Sequence, residues 1–302
     1  MTSNEYLAEV LKAQTLEDDS KELKELQEHR ADVEKLLCEH FKDSSPTIRY
    51  GGSKAKGTLI KESYDLDIIC YFPNDDTSAG DSLEDIYNNV RKALEKEYYV
   101  TPKNSSLRLK SKETEALARD FHIDVVPGRY TDESKTDCFI YQAESDKERL
   151  KTNLDIHIDH VKDSGVVDAI RLLKLWKARK SLRVKQFVWE LLIIQLLEGK
   201  KSKSIEDQLS HVLTEIRDSQ EPIKVEDPAN PNGNDLSKVF DSGMWQLLSS
   251  SASATLRTIE SSGWESVFGT TKRLGNTERV AALTQAAASA AIRTKPWSDR
   301  TE

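Results

Sequence analysis

Three acidic side chains stand where oxygen-ligand chemistry is expected. Asp65 and Asp67 flank Leu66 in the run Tyr64-Asp65-Leu66-Asp67. On an extended strand, residues two apart point the same way, so this pair presents two carboxylates to one side. Asp124 adds a third from a separate apolar run, Ile123-Asp124-Val125-Val126. Carboxylate oxygens are hard donors that suit Mg²⁺, which completes its shell with water and phosphate. Three of them at the mouth of a sheet predict a site for two Mg²⁺ ions, with Mn²⁺ as the alternative. One ion lowers the pKa of an attacking hydroxyl, and the other neutralises a triphosphate and its leaving group. Asp124 has a second role open to it, as general base for the acceptor hydroxyl.

The segment Gly51-Gly52-Ser53-Lys54-Ala55-Lys56-Gly57-Thr58 precedes the acid pair. Gly51 and Gly52 let the backbone come close to a phosphate. If a helix begins after the turn, its free N–H groups favour an anion, and Ser53 adds a hydroxyl. The spacing fits neither a dinucleotide fingerprint nor a Walker loop. Taken singly, each piece has an ordinary reading. Gly-Gly-Ser is a plain turn, Asp-x-Asp a solvated strand edge or a cap, and Asp124 an edge residue beside His122. Their conjunction in this order is what favours a metal site.

The elements that must position these residues follow from the pattern along the chain. Glu5 to His40 contains no Gly or Pro and reads as one long helix, with Leu23, Leu26, Val33 and Leu37 as a core-facing stripe. Strands are expected at Ile48–Tyr50, Leu66–Phe72, Ser106–Lys110 and His122–Val126, the last closed by Pro127-Gly128. A helix is expected from Ser82 to Tyr98, and Thr131 to Asp137 is a polar loop. Interleaved helix and strand imply a mixed α/β lobe. Beyond residue 150 the chain is mostly helical, clearest at Ala169–Lys180 and Phe187–Glu198. The proline-rich stretch Glu221–Asp235 is a loop, and helices return around Trp245 and in Ala281–Ile292.

Composition bounds the function classes. The chain has 302 residues, with 44 Lys+Arg against 52 Asp+Glu and a formal net charge of −8. It suits one large domain or two intimate lobes, and at 37% apolar content it is too apolar for a disordered polyelectrolyte. No apolar run approaches the roughly 20 residues of a bilayer span, and Glu5 and Glu9 stand where a signal peptide would be apolar. Cys38, Cys70 and Cys138 form no CxxC pair. A zinc site or disulfide framework is not expected, and a reducing cytoplasm is the expected location. The acidic balance argues against coating a long duplex.

The acid motif resembles the nucleotidyltransferase superfamily that contains DNA polymerase beta. Within it, the chain resembles the branch of 2′-5′-oligoadenylate synthetases, cyclic GMP-AMP synthase and the bacterial CD-NTases. Three segments carry that narrower likeness: Ala169-Ile170-Arg171-Leu172-Leu173-Lys174-Leu175-Trp176-Lys177, Gln186-Phe187-Val188-Trp189-Glu190-Leu191-Leu192, and Glu226-Asp227-Pro228-Ala229-Asn230-Pro231. The resemblance runs from residue 48 to residue 240. It implies an α/β (α+β) polymerase-beta-like fold, with a mixed-sheet catalytic lobe, a helical lobe and the substrate cleft between them. The expected division is a bracing helix over 1–45, a catalytic core over 46–150 and a helical lobe over 151–302.

The resemblance assigns roles to individual residues. Gly52 and Ser53 match the nucleotide-gripping turn, and Asp65, Asp67 and Asp124 the catalytic, metal-binding triad. Lys174 matches a lysine on the donor triphosphate, and Phe187 an aromatic that stacks on the donor base. Gln186 stands where several relatives have Ser, so its phosphate contact is left open. Lys174 as a surface helix lysine and Phe187 as ordinary core remain the competing readings. The implied reaction joins NTPs, ATP among them, into a cyclic di- or oligonucleotide with loss of pyrophosphate. In bacterial relatives such products are anti-phage messengers that activate a separate effector. A monomer with no membrane partner is expected. The chain lacks the Cys/His insertion of vertebrate cyclic GMP-AMP synthase and an evident basic face, so activation by a nucleic-acid duplex is not implied. Two alternatives stay open: a nucleotidyltransferase acting on RNA ends, a protein or a small molecule, and a catalytically silent nucleotide-binding protein.

Overall fold

The computed structural model describes residues 1–270 except 18, 113–122, 145–147, 232, 233, 235, 237 and 238. The expected strand start at His122 and the expected helix Ala281–Ile292 lie outside the described residues.

The N-terminal region forms two helices rather than the single one expected, α1 (Ser3–Gln14) and α2 (Lys21–His40). The break has a capping origin. Thr15 leaves the helical region and Ser20 starts a new helix, its hydroxyl accepting from the Leu23 N–H. Short polar side chains that bond nearby backbone donors end or start helices without Gly or Pro. The two helices also brace different cores. Tyr6, Leu7 and Val10 of α1 pack with the helices of the second half. Leu23, Leu26, Val33 and Leu37 of α2, the stripe read in the sequence, pack under the sheet.

The sheet comprises β1 (Thr47–Tyr50), β2 (Leu66–Phe72), β3 (Tyr98–Pro102), β4 (Leu107–Ser111), β5 (Ile123–Tyr130), β6 (Cys138–Tyr141) and β7 (Arg149–Thr152). Its order is β1-β2-β5-β4-β3, with β6 on β5 and β7 on β6. β2 and β5 are parallel and the remaining pairs antiparallel. β2 is almost wholly apolar and buried, as a strand covered on both faces must be. The short helix α3 (Gly52–Lys56) lies between β1 and β2, and α4 (Leu83–Leu94) follows β2.

Two expected boundaries move. The helix after Ser82 ends at Leu94, and Tyr98 opens β3, where its aromatic and β-branched neighbours favour strand. β5 runs through Pro127-Gly128 to Tyr130 instead of closing there. Its β4 partners end at Val125 and its β6 partners begin at Gly128, so Pro127 falls in a gap where that edge has no donor to lose.

The second half is built from α5 (Leu154–Lys162), α6 (Val167–Arg179), α7 (Gln186–Leu196), α8 (Ile205–Asp218), α9 (Ser242–Ser262) and α10 (Glu265–Phe268). Trp176 and Trp189 stack between α6 and α7 with centroids 6.0 Å apart. Among the described residues, no helix is long and apolar enough to cross a membrane.

Candidate active site

Sheet register sets three charged side chains in one row. Asp67 of β2 is the partner of Asp124 on β5, and Asp124 is the partner of Arg108 on β4. Register partners point to the same face, so the row is fixed by backbone pairing. Arg108 donates Nε to Asp124 Oδ1 at 2.9 Å and Nη2 to Oδ2 at 2.6 Å, a two-pronged clamp on one carboxylate. Asp65 lies one residue ahead of β2 and is exposed, while Asp67 and Asp124 are half-buried. Burial, then the fields of Asp124 and Asp65, pushes Asp67 up to about 7, with Lys56 and Lys174 acting the other way.

The glycine turn is tied to this row. The Gly51 N–H donates to the Asp67 carbonyl at 2.8 Å. Gly52 has φ +49°, and a Cβ there would lie 1.6 Å from Asp67 Oδ2. The close approach at Gly52 is therefore made by the Asp67 carboxylate, and no other residue type fits. α3 starts at Gly52 and carries Ser53 and Lys56, both buried. The helix expected after the turn thus begins within it, at Gly52.

A cluster of ammonium groups meets α3 from the helical half. Lys174, only 4% exposed, donates to Ser53 Oγ at 2.8 Å, so it is not a surface lysine. Lys177 donates to the Val184 carbonyl at 2.9 Å and to Gln186 Oε1 at 2.7 Å. Burial, reinforced by Lys174 and opposed by Glu190 and Asp65, brings Lys177 down to about 8. Burial also lowers Lys174. At the centre lies Glu190, wholly buried on α7. It accepts from Lys56 Nζ at 2.9 Å, from Thr58 Oγ1 at 2.7 Å and from Gln186 Nε2 at 3.2 Å. Burial works against its charge, but Lys56, Thr58 and Lys174 outweigh that and hold it below the usual carboxylate range.

Phe187 is half-buried against the helical core. Lys56 Nζ lies 4.6 Å from its ring centroid, and the His157 ring centroid is 4.4 Å away. His157 bonds the buried Asp227 at 2.7 Å, and Asp227 also accepts from the Ala229 N–H and from Asn234 Nδ2. The Asp-Pro-Ala-Asn-Pro loop is thus anchored by its acid beneath the aromatic.

The fold brings the sequence-predicted residues Gly52, Ser53, Asp67 and Lys174 into one connected site, with Asp65 close enough to act on Asp67. Gln186 and Phe187 join it through Lys177, Glu190 and Lys56. Sequence reasoning gave no role to Arg108, Lys56, Thr58, Lys177, Glu190 or His157. The bonds of Lys56 and Thr58 to Glu190, of Arg108 to Asp124 and of His157 to Asp227 join separate elements, so no local spacing signals them.

The donor set suits a hard divalent cation in kind: Asp67 is raised first by burial and then by the neighbouring Asp124 and Asp65 carboxylates, whose charges a bound cation would offset. Among the described residues, no three carboxylate, imidazole or thiol groups are drawn together as a ready-made metal centre. Asp124 in particular has both oxygens on Arg108.

Comparison with known proteins gives three findings. The family profile described as the Second Messenger Oligonucleotide or Dinucleotide Synthetase domain matches residues 1–164. The fold is similar to that of E. coli MS115-1 CdnC in its HORMA-deltaN complex, at 17% identity over 90% of this chain and 99% of that one, with TM-score 0.66. It is similar to Bradyrhizobium diazoefficiens CD-NTase CdnG in complex with GTP, at 13% identity over 96% and 99%, TM-score 0.64. It is also similar to the Vibrio cholerae cyclic AMP-GMP synthase DncV, at 15% identity over 91% and 86%, TM-score 0.59. No curated protein matches the chain. At these identities the structural likeness is one of fold, and it bears out the polymerase-beta-like α/β class read from the sequence.

Proposed function

The chain belongs to the Second Messenger Oligonucleotide or Dinucleotide Synthetase family and is a nucleotidyltransferase, and from that premise we propose that it joins NTPs into a cyclic di- or oligonucleotide messenger. Solved relatives hold ATP in the case of CdnC and GTP in the case of CdnG. The observation that carries the reading is the adjacency of the acid row to the lysine turn. Asp67 and Asp124 pair in register, and the same Asp67 touches the turn whose Ser53 is bonded by Lys174.

In this reading Ser53, Lys174 and Lys177 hold the donor triphosphate, and Phe187 carries its base. Asp65, Asp67 and Asp124 hold the divalent cations, Mg²⁺ or Mn²⁺. Those ions supply charge neutralisation and activation of the attacking hydroxyl. The acceptor hydroxyl passes its proton to a carboxylate of the acid row or to water, its oxygen bonds to the donor α-phosphorus, and the bond to pyrophosphate breaks. The chain's own share of catalysis is positioning, since Ser53 and Lys174 are already joined before a phosphate arrives. A second transfer in the same pocket closes the ring. The product acts in the bacterial cytoplasm on a separate effector, in anti-phage defence.

The test is incubation with all four NTPs and Mg²⁺ or Mn²⁺, with pyrophosphate assay and mass spectrometry of the products. Small, protease-resistant cyclic products are expected. Transfer to RNA ends, protein or a small molecule instead would replace the messenger reading. Nucleotide binding without pyrophosphate release under any metal would overturn turnover itself.

A further inference from the structure

We propose that Glu190 is a positioning residue for the triphosphate-holding lysines: its carboxylate fastens Lys56 and α3 to α7 and gathers Lys174 and Lys177 around one buried anion. This inference rests on the site's reading as a nucleotide site. Helix α7 is otherwise an apolar core element, with Val188, Trp189, Leu191, Leu192 and Ile193 all buried. An acid in that company is costly. Replacing a buried ion pair by well-packed apolar residues is often neutral or stabilising, so stability alone does not account for Glu190.

Geometry supplies a different account. Both Glu190 oxygens are engaged, and the Lys56 and Thr58 bonds span 134 and 132 residues. These bonds join the end of α3 and the residue that follows Gly57 to the helical half. Lys174, reaching Ser53 from α6, closes the other side of the same turn. Three ammonium groups so placed repel one another, and the repulsion is stronger away from water. Glu190 is the wholly buried counter-charge among them. The groups acting on Lys177 are Lys174 on its own helix, Glu190 on α7 and Asp65 ahead of β2. Those acting on Lys174 are Glu190, Asp65, Asp67 and Lys56.

The sign follows. Glu190 favours the charged form of both lysines. Without its charge they lose their protons at lower pH, and a neutral amine holds a triphosphate less well. In Glu190→Gln, the KM for NTP rises about tenfold or more with a smaller change in kcat. The alkaline limb of the kcat/KM profile moves down by roughly half a pH unit or more. Glu190→Asp restores the alkaline limb in part. A role in packing alone moves neither the limb nor KM.

The experiment measures pyrophosphate release across pH and binding of a non-hydrolysable ATP or GTP analogue, at temperatures well below each variant's melting point. A folded Glu190→Gln protein with wild-type KM and wild-type alkaline limb overturns the inference. If that variant does not fold, Lys56→Met/Glu190→Gln is read against Lys56→Met, and an identical alkaline limb in the two overturns it. A wild-type protein that neither binds the analogue nor releases pyrophosphate overturns the nucleotide-site reading and this inference with it. An active wild type with an unmoved variant overturns this inference alone.

Discussion

Asp67 sits half-buried on β2 beside two further carboxylates; burial first, and then each of those neighbours, makes its ionisation harder. Its pKa in the folded chain is about 7 against an ordinary 3.8. Between these values the folded protein keeps the proton that the unfolded chain has lost. Stability from this residue is therefore full below the ordinary value and falls as pH rises towards 7, with no further loss above. Asp67→Asn removes the charge at nearly constant shape. It is expected to stabilise the protein by roughly 1–3 kcal/mol at pH 8 and by less at pH 5, while abolishing nucleotidyl transfer. Urea unfolding at the two pH values checks the first part, and pyrophosphate assay the second. A variant less stable than wild type at pH 8 would remove the electrostatic account. Phe187 presents a second conflict, between stacking and core. Its ring is partly exposed yet packed on the helical core. Aromatic–base stacking is worth about 1–3 kcal/mol. Phe187→Ala is expected to raise the KM for NTP roughly tenfold while the protein stays folded. Loss of folding with unchanged KM in the surviving fraction would make it core only.

At the scale of elements, α1 and α2 are consecutive in sequence but serve different cores. Leu7 and Leu26 are each buried, one on either helix. Leu7→Ala and Leu26→Ala should each cost about 2–5 kcal/mol. Hydrogen exchange should separate them: Leu7→Ala loosens α6 and α8 and spares β2 and β5, and Leu26→Ala does the reverse. Equal effects of both on both halves would restore the single-brace picture. The absence of Gly and Pro favours one unbroken helix; the break shows only in two short polar residues, Thr15, whose hydroxyl donates to the Leu11 carbonyl, and Ser20, whose hydroxyl accepts from the Leu23 N–H. Strand β2 is legible over its whole length because Leu66–Phe72, apolar but for Asp67, ends at Pro73. β6 and β7 have four residues each, too few for a period to show, and β5 hid its second half behind Pro127. The site divides along similar lines. Alternation predicts Asp65 and Asp67 on one side of a strand, whereas the strand begins at Leu66 and leaves Asp65 just ahead of it. The Arg108–Asp124 row depends on which strands become neighbours, and the Glu190 bonds to Lys56 and Thr58 reach across more than a hundred residues. Neither leaves a mark on local spacing.

Over the whole molecule, the candidate site belongs to neither core by itself. The sheet half contributes Asp65, Asp67, Asp124 and α3, and the helical half contributes Lys174, Lys177, Phe187 and Glu190. Polar ties cross between them, Lys56 to Glu190 at 2.9 Å, Lys174 to Ser53 at 2.8 Å and Arg179 Nε to Glu62 at 2.9 Å. In the proposed reading, a triphosphate held by lysines from one half and by cations on acids from the other would add a further tie across the same seam. Mass action then fixes the expected size of its effect. At a ligand concentration 100 times Kd, stabilisation is about 2.7 kcal/mol. A non-hydrolysable ATP or GTP analogue with Mg²⁺ should raise the melting temperature and slow hydrogen exchange in β2 and α6 together. The analogue without divalent cation should protect α6 more than β2, because Lys174 and Lys177 of α6 remain and the acids lose what links them to phosphate. Protection confined to one half even with Mg²⁺ would mean that the nucleotide does not bridge the seam, and the acid row and the lysine cluster would then be separate features of the fold.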